Sequence, residues 1–202
     1  MNDATTQSDR DGIRKARESF SGQNLTEFQA DIVAGITSIL DRHIHKTGSF
    51  KEPLRGLTNE FVRYEKFDEV KGNTIIRDFY TARFGRTMNA TRTALLENEK
   101  NLPETAREQA VQAARQTLDG ISQGANEPFY KTYDREGCAL ARSLNITENG
   151  AKHLMTESYH AVEGRELYET GKALEEKYHR PKVEAARQER EQERAQRRVQ
   201  SM

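Results

Sequence analysis

The sequence predicts an all-α protein, an elongated multi-helix bundle with a long C-terminal helical extension. Apolar residues recur at helical spacing through long stretches without proline, of which the 202-residue chain has only four. Alternation of β-branched residues, which is typical of strands, is absent. Because 34% of the residues are hydrophobic and 32% are charged, most helices should bury only a narrow stripe.

Four segments are predicted along the chain. A disordered tip covers 1–10, a helical bundle covers 11–97, a helical region covers 102–181, and a charged helical tail covers 182–202. The shortage of apolar residues predicts either an elongated shape or a surface that a partner completes.

The first part of the bundle is predicted to hold two helices. A short helix spans residues 13–20. Asn24 and Glu27 have the spacing of a capping box, which predicts the start of a longer helix that stops at Gly48. Its predicted apolar face recurs every four residues: Phe28, Ile32, Ile36, Leu40 and Ile44.

Two further helices are predicted before residue 97. Ser49 and Glu52 suggest another capping box, for a helix that runs to about Val70. Gly72 is predicted to end that helix and Asn73 to cap the next, with a loop over residues 98–101. The stripe of this next helix is Ile76, Tyr80, Phe84, Met88, Thr91 and Leu95.

A helix lined by small residues is predicted to open the C-terminal half. Asn101 can cap it, with Pro103 in its first turn and Glu104 at the capping-box position. Small side chains permit close approach between helices, so this helix should pack centrally. Its predicted face is Ala106, Ala110, Ala113, Ala114 and Leu118.

The rest of the C-terminal half is predicted to be helical with few interruptions. After a break over 120–126, one helix spans about 128–144 and Thr147 caps the next. That helix is expected to reach His179, with a bend at Gly164 or Gly171. Pro181 resists continuation of a helix but also fits the first turn of a new one.

Residues 140–154 have the spacing of a helix-turn-helix. Asn145 stands where the turn often needs a left-handed residue, a conformation that asparagine tolerates. The surface that would read DNA carries little positive charge, chiefly Lys152 with His153 beside it. The segment therefore predicts either a packing motif or a DNA-binding element.

Two basic segments are candidate contact surfaces for nucleic acid or for a partner. Arg77, Arg83 and Arg86 flank apolar residues, and this strip either contacts phosphate or solvates its helix. Residues 187–198 hold five arginines against three glutamates. The tail is predicted to be a solvated helical extension, or alternatively a basic docking tail that uses Arg194, Arg197 and Arg198.

Nothing in the sequence points to a self-sufficient catalytic site. His43 and His45 form a His-hydrophobic-His triplet, but on a helix residues two apart diverge by about 200° and cannot chelate one metal ion. The single cysteine, Cys138, is predicted to pack. No phosphate-binding glycine loop, zinc-ligand spacing or nucleophile elbow is present, so neither a metal nor a cofactor is expected.

Charge and hydropathy bear on localisation. The formal net charge is zero, from 32 basic and 32 acidic residues, so no global field draws the chain to nucleic acid or membrane. The N-terminus lacks the features of a secretory signal, and no apolar run is long enough to span a bilayer. A soluble cytoplasmic protein is expected, with translocation by a secretion system as the alternative.

Residues 139–181 read ALARSLNITENGAKHLMTESYHAVEGRELYETGKALEEKYHRP. This tract resembles the C-terminal tract of relaxase-type proteins encoded by conjugative plasmids of alphaproteobacteria, through 150–152, 163–168, 171–172 and 178–181. The catalytic half of that family has a tyrosine and a three-histidine metal site, which nothing here matches. The resemblance, which covers about a fifth of the chain, implies an accessory role in plasmid DNA transfer or a secretion-competent module.

The leading hypothesis is a non-catalytic helical interaction protein that is accessory to plasmid conjugative transfer or type IV secretion. Its expected partner is a relaxase, a coupling protein or a secretion component. The alternative is a DNA-binding regulator that uses residues 140–160. An enzyme with a scattered helical site is a third and weaker hypothesis, because no histidine has a carboxylate at a distinctive spacing.

Overall fold

A computed structural model describes residues 7–20, 25–122 and 127–200 of the chain. Within these ranges the regular structure is helical and no strand is present, which confirms the predicted all-α class. The chain divides between Asn101 and Leu102 into two compact units. We call them the N-terminal unit and the C-terminal unit.

The N-terminal unit is organised around its fourth helix. α4 packs against α1, α2, α3 and α5, and α2 also contacts α3 and α5. Fully buried side chains from α2 and α4, among them Leu40, Ile44, Ile76 and Phe79, form the core. The helices are α1 (Gln7–Phe20), α2 (Glu27–Thr47), α3 (Lys51–Glu65), α4 (Glu69–Phe84) and α5 (Met88–Lys100).

The buried face of α2 differs from the predicted stripe at its N-terminal end. Leu40 and Ile44 are fully buried, but Phe28 is 69% exposed and Val33 is buried in its place. A spacing of four residues rotates by about 40° per step against the helical repeat, so a stripe that faces the core at residues 40 and 44 has turned away from it by residue 28. The true face follows the spacing of three and four residues.

The predicted start signals of α2 and α3 were wrong. Thr26 caps α2 and forms a capping box with Gln29, whereas Asn24 lies outside the described residues. α3 follows Phe50, which makes no side-chain cap. Helix starts depend on which of several nearby polar residues takes an extended backbone, and packing decides that.

The predicted boundary at Gly72 was also wrong, because Asp68 caps α4 and Gly72 lies inside it. A Cβ on Gly72 would lie 2.3 Å from Cγ1 of Val62 in α3. Gly72 therefore allows close approach of two helices. The helix end lies earlier, at Glu65, where Lys66 takes a left-handed conformation (φ 56°).

The single stripe predicted over residues 76–95 belongs to two helices. Gly85, with φ 71°, ends α4, and Thr87 caps α5 by accepting a hydrogen bond from the Ala90 N–H. α5 continues to Lys100, through the predicted loop. At the other end of the unit, α1 begins at Gln7, so the predicted disordered tip is helical from that residue onward. Residues 1–6 lie outside the described part of the chain.

The C-terminal unit is built around α6, which contacts α7, α8, α9 and the π-helical turn. Ala110 and Ala114 are fully buried, and the rest of the small-residue face is buried with them, which confirms the predicted central position. Asn101 was wrongly predicted to cap this helix; it ends α5 instead. The helices are α6 (Ala106–Ser122), α7 (Phe129–Leu144), α8 (Glu148–Glu163), α9 (Leu167–Leu174), a π-helical turn (Glu175–His179) and α10 (Arg180–Gln200).

The helices at the C-terminal end become progressively more exposed from α8 to α10. α8 ends at Gly164, where φ is 66°, and α9 begins at Leu167, which corrects the prediction of one continuous helix to His179. In the π turn, Glu175 Oε2 accepts a hydrogen bond from the Phe129 N–H at 3.1 Å and so caps α7. The wider π turn ends at His179, two residues before Pro181, which has no N–H to donate, and the helix continues through that proline as α10.

Candidate interaction surfaces

The predicted basic strip of Arg77, Arg83 and Arg86 does not form one surface. Arg83 is only 8% exposed, and its Nη1 donates to the Ala34 carbonyl at 2.7 Å and to Ser38 Oγ at 2.7 Å. The guanidinium therefore joins α4 to α2 inside the unit. Such a group satisfies backbone and hydroxyl acceptors of its own fold, where a phosphate cannot reach it.

Arg77 lies on another side of α4. Its Nε donates to Asn73 Oδ1 at 2.6 Å, and its guanidinium lies 5.9 Å from the ring centroid of Phe50. Arg77 lines a shallow groove of about 360 Å³, together with Phe50, Lys51, Leu54, Arg55, Glu69, Asn73 and Asn89. Arg86 is exposed in the link between α4 and α5.

The turn between α7 and α8 has the predicted local geometry. Asn145 takes the left-handed conformation, with φ 51°. The Ile146 N–H bonds to the Ala141 carbonyl at 3.0 Å, which closes the end of α7. Thr147 caps α8 by accepting a hydrogen bond from the Gly150 N–H at 3.0 Å.

Lys152 is engaged within the C-terminal unit. Its Nζ pairs with Asp134 Oδ1 of α7 at 2.6 Å, and its side chain is 17% exposed. Although desolvation favours the neutral amine, the ion pair with Asp134 raises the pKa of Lys152. A Cβ on Gly137 would lie 2.7 Å from Cγ of Lys152, so the lysine stem fills the space that this glycine leaves. His153 is exposed beside it.

The α7–α8 pair therefore has the turn of a helix-turn-helix, but it lacks the outward positive charge that DNA binding needs. The cation predicted to contact DNA is held by a carboxylate of its own unit. Phosphate contacts provide most of the affinity in protein–DNA complexes, and they need lysine or arginine side chains directed outward.

α10 is the most solvated helix of the described chain. Every residue from Arg180 to Arg194 is exposed. Arg194 lies on a face that it shares with Val183, Arg187 and Arg190. Arg197 and Arg198 are on the last turns of the same helix, and their side chains lie outside the described residues. The placement agrees with the predicted solvated extension.

The groups considered for catalysis lie apart from one another. His43 and His45 are both within α2, and His45 Nε2 is 3.9 Å from Asp41 Oδ1 of the same helix. Among the described residues, no three His, Cys, Asp or Glu side chains converge as a metal site. Burial, together with the nearby Glu148 carboxylate, raises the pKa of the Cys138 thiol. Cys138 therefore stays protonated near neutral pH and is a weak nucleophile.

Two buried polar contacts were missed by the sequence interpretation. Besides Arg83, the fully buried Tyr80 donates to Asp41 Oδ1 at 2.7 Å, and its oxygen lies 3.3 Å from Thr91 Oγ1. One signal was available, since an arginine within an apolar stripe can face the core when hydrogen-bond acceptors lie opposite it. The acceptors come from α2, more than forty residues away, and the stripe of α4 alone does not reveal them.

Within the described ranges, no helix combines the length and apolar character that crossing a membrane requires. Comparisons with protein-family models, with curated proteins and with solved structures find no match for this chain.

Proposed function

We propose that this chain is a non-catalytic interaction protein whose docking element is α10. The observation that carries the proposal is the exposure of every residue from Arg180 to Arg194, on a helix of 21 residues. An isolated helix with so few apolar residues contributes little to the stability of the unit that bears it. The charged side chains along α10 are therefore available for binding a partner.

The connection of α10 to its unit supports this role. α9 is anchored by the buried Leu167 and by Gly171, and Glu175 in the π turn binds the start of α7. The exposed helix begins immediately afterwards, at Arg180. A docking helix that continues from an anchored segment has a defined starting point and direction relative to the C-terminal unit.

The resemblance of residues 139–181 to plasmid relaxase-type proteins is the basis for proposing a partner. We place the protein in conjugative transfer or type IV secretion, with a relaxase, a coupling protein or a secretion component as its partner. The resembling tract covers α8, α9 and the π turn, which support α10, so it bears on the segment that presents the docking helix.

Truncation after Glu184 tests the proposal. Because α10 buries little surface, we expect the melting temperature to stay within the range of ordinary surface changes, about 0.5 kcal/mol in stability. Capture of a transfer protein from cells that carry the cognate plasmid should be lost. The triple variant Arg194→Glu, Arg197→Glu, Arg198→Glu should reproduce that loss in the full chain.

Two results would count against this proposal. A large fall in the melting temperature would mean that α10 packs on the body of the protein. Unchanged partner capture by the stable truncated chain would mean that the arginines only keep an exposed helix solvated.

The alternative function, DNA binding through α7 and α8, has the local turn geometry in its favour. The pairing of Lys152 with Asp134 counts against it. A gel-shift titration at two salt concentrations decides between the two, because phosphate contacts make the affinity fall as salt rises. Salt-dependent binding that Lys152→Gln abolishes, and that truncation after Glu184 leaves intact, would support the alternative.

A further inference from the structure

The arginines of α10 lie on one face. At about 100° of rotation per residue, Arg180, Arg187, Arg190 and Arg194 fall within an arc of about 80°. All four are exposed. We call this surface the arginine face. It extends for about 21 Å along the axis at 1.5 Å per residue, and the sequence continues the same spacing at Arg197 and Arg198.

Two of these arginines are already paired within the helix. Arg180 Nε lies 3.5 Å from Glu184 Oε1, and Arg187 Nε lies 3.1 Å from Glu191 Oε1. No ion pair is present for Arg190 or Arg194 among the described side chains. These two guanidinium groups are therefore the ones that are ready to pair with a ligand.

Acidic residues border the arginine face on both sides. Glu184 and Glu191 follow one edge, and by the same helical rotation Glu193 lies about 60° beyond Arg190 at the other edge. A phosphodiester backbone laid along the arginines would bring its charges close to these carboxylates, and that repulsion lowers its affinity. The borders thus disfavour a broad polyanion such as nucleic acid.

The face also lacks the apolar core of a usual protein interface. Val183, 52% exposed, is the only large apolar side chain on the described part of the face. Specificity must therefore come mainly from the order of charges. The surface of α10 has three rows of charge, the arginines and an acidic border on each side of them. A partner helix with a central row of carboxylates and basic residues along both sides is complementary to all three rows, as paired e and g positions are in coiled coils.

We propose that the arginine face binds such an acid-centred helix, with Arg190 and Arg194 as its main contacts. This inference rests on the proposed docking function and names the chemistry of the partner. Arginine is suited to the role, because its planar fork of donors binds a carboxylate through two parallel hydrogen bonds.

The test uses the full chain and a synthetic helical peptide as the probe. The peptide carries glutamates in one row at spacings of three and four residues, lysines along both borders, and alanine elsewhere. A second peptide has the same composition with its charges spread around the helix. Binding is measured by fluorescence anisotropy at about 50 mM and about 300 mM salt, beside single-stranded and duplex DNA.

The row peptide should bind about tenfold more tightly than the spread peptide, and its affinity should fall at the higher salt. Arg190→Gln should weaken binding about threefold, the scale of one exposed ion pair. Lys182→Gln removes the same charge about 120° from the centre of the face, so it should leave binding unchanged. Arg190→Glu with Arg194→Glu should abolish binding, and a row peptide in which only the glutamates opposite these two positions are replaced by lysine should restore it.

The inference fails if the spread peptide binds equally well, or if Lys182→Gln weakens binding as much as Arg190→Gln, because net charge alone would then explain the affinity. Tighter binding to either DNA than to the row peptide would overturn it in favour of phosphate recognition. Failure with the peptide while truncation after Glu184 still abolishes partner capture would reject only the partner chemistry. Partner capture that survives the truncation would reject the docking function itself.

Discussion

Gly171 in α9 lies directly against the ring of Phe129 in α7. A Cβ at position 171 would be 2.3 Å from both Cδ2 and Cε2 of that ring. Phe129 is only 2% exposed, so a shift of its ring would disturb the packing of the core. This contact, with the hydrogen bond from the Phe129 N–H to Glu175, holds the segment from which α10 projects. Because Gly171 has no side chain, α9 packs closely against Phe129 and is held to the C-terminal unit.

Gly171→Ala should therefore destabilise the C-terminal unit by about 1–3 kcal/mol, the usual cost of overpacking a filled core. The matched change Gly120→Ala meets its nearest atom, Thr132 Cγ2, at 3.7 Å, which is ordinary contact. Because alanine favours a helix over glycine, that control should be neutral or stabilising by up to about 1 kcal/mol. Urea unfolding of both variants measures the difference. Equal stabilities would show that the Phe129 ring can shift.

Arg83 and Arg86 offer a second matched pair, three residues apart with the same charge. Arg83→Ala removes the buried hydrogen bonds that the guanidinium donates to the Ala34 carbonyl and to the Ser38 hydroxyl, and it should cost about 2–3 kcal/mol. Arg86 is exposed, so Arg86→Ala should change stability by no more than about 0.5 kcal/mol. Thermal unfolding compares them. A larger effect at Arg86 would contradict the buried position of Arg83.

Tyr80 predicts a loss of stability at alkaline pH. Burial, together with the hydrogen bond to Asp41, raises the pKa of its hydroxyl well above the usual 10.0. In the unfolded chain the phenol ionises near pH 10, while the folded state keeps the proton. The stabilisation of the folded state by the protonated Tyr80 hydroxyl is therefore complete below pH 10, and it is lost as the pH rises above that value. Tyr80→Phe should make the free energy of unfolding of the N-terminal unit less dependent on pH between 9 and about 11. An unchanged slope would mean that Tyr80 ionises in the folded state as it does in the unfolded one.

Asn145 tests the turn between α7 and α8. A side chain other than asparagine or glycine costs about 1–2 kcal/mol in the left-handed region, so Asn145→Ala should destabilise by about 1 kcal/mol. Asn145→Gly removes the steric cost and should restore or exceed the original stability. Chemical denaturation of the two variants is the measurement. If alanine is tolerated as well as glycine, the turn does not need its left-handed residue.

Local signals predicted the α7–α8 region well. Pro128 precedes α7, Asn145 takes a left-handed turn, and Thr147 caps α8, because each of these residue types has a backbone preference that needs no distant partner. Gly48 ends α2 for the same reason. The predicted face of α6 was correct because a row of alanines at helical spacing leaves one way to pack closely.

The predictions were wrong at residues whose type fits two structural positions, such as a glycine that can end a helix or allow close packing within one. Gly72 has the appearance of a helix end, yet it lies within α4, where its lack of a side chain leaves room for Val62.

The predicted solvated extension agrees with α10, but the candidate contact residues of α4 and α8 do not form open basic surfaces. Arg83 finds acceptors on α2, and Lys152 finds a carboxylate on α7. These partners come together only when the helices pack.

The sequence by itself determined that the chain is helical, that α6 is a close-packed centre, and that the last helix carries charge without apolar anchors, because periodicity and composition act within a single helix. The tertiary structure alone decided which cations are used inside the fold and which remain on its surface. That choice depends on acceptors contributed by helices distant in sequence. It removes Arg83 and Lys152 from the candidate surfaces and leaves Arg190 and Arg194 exposed on α10.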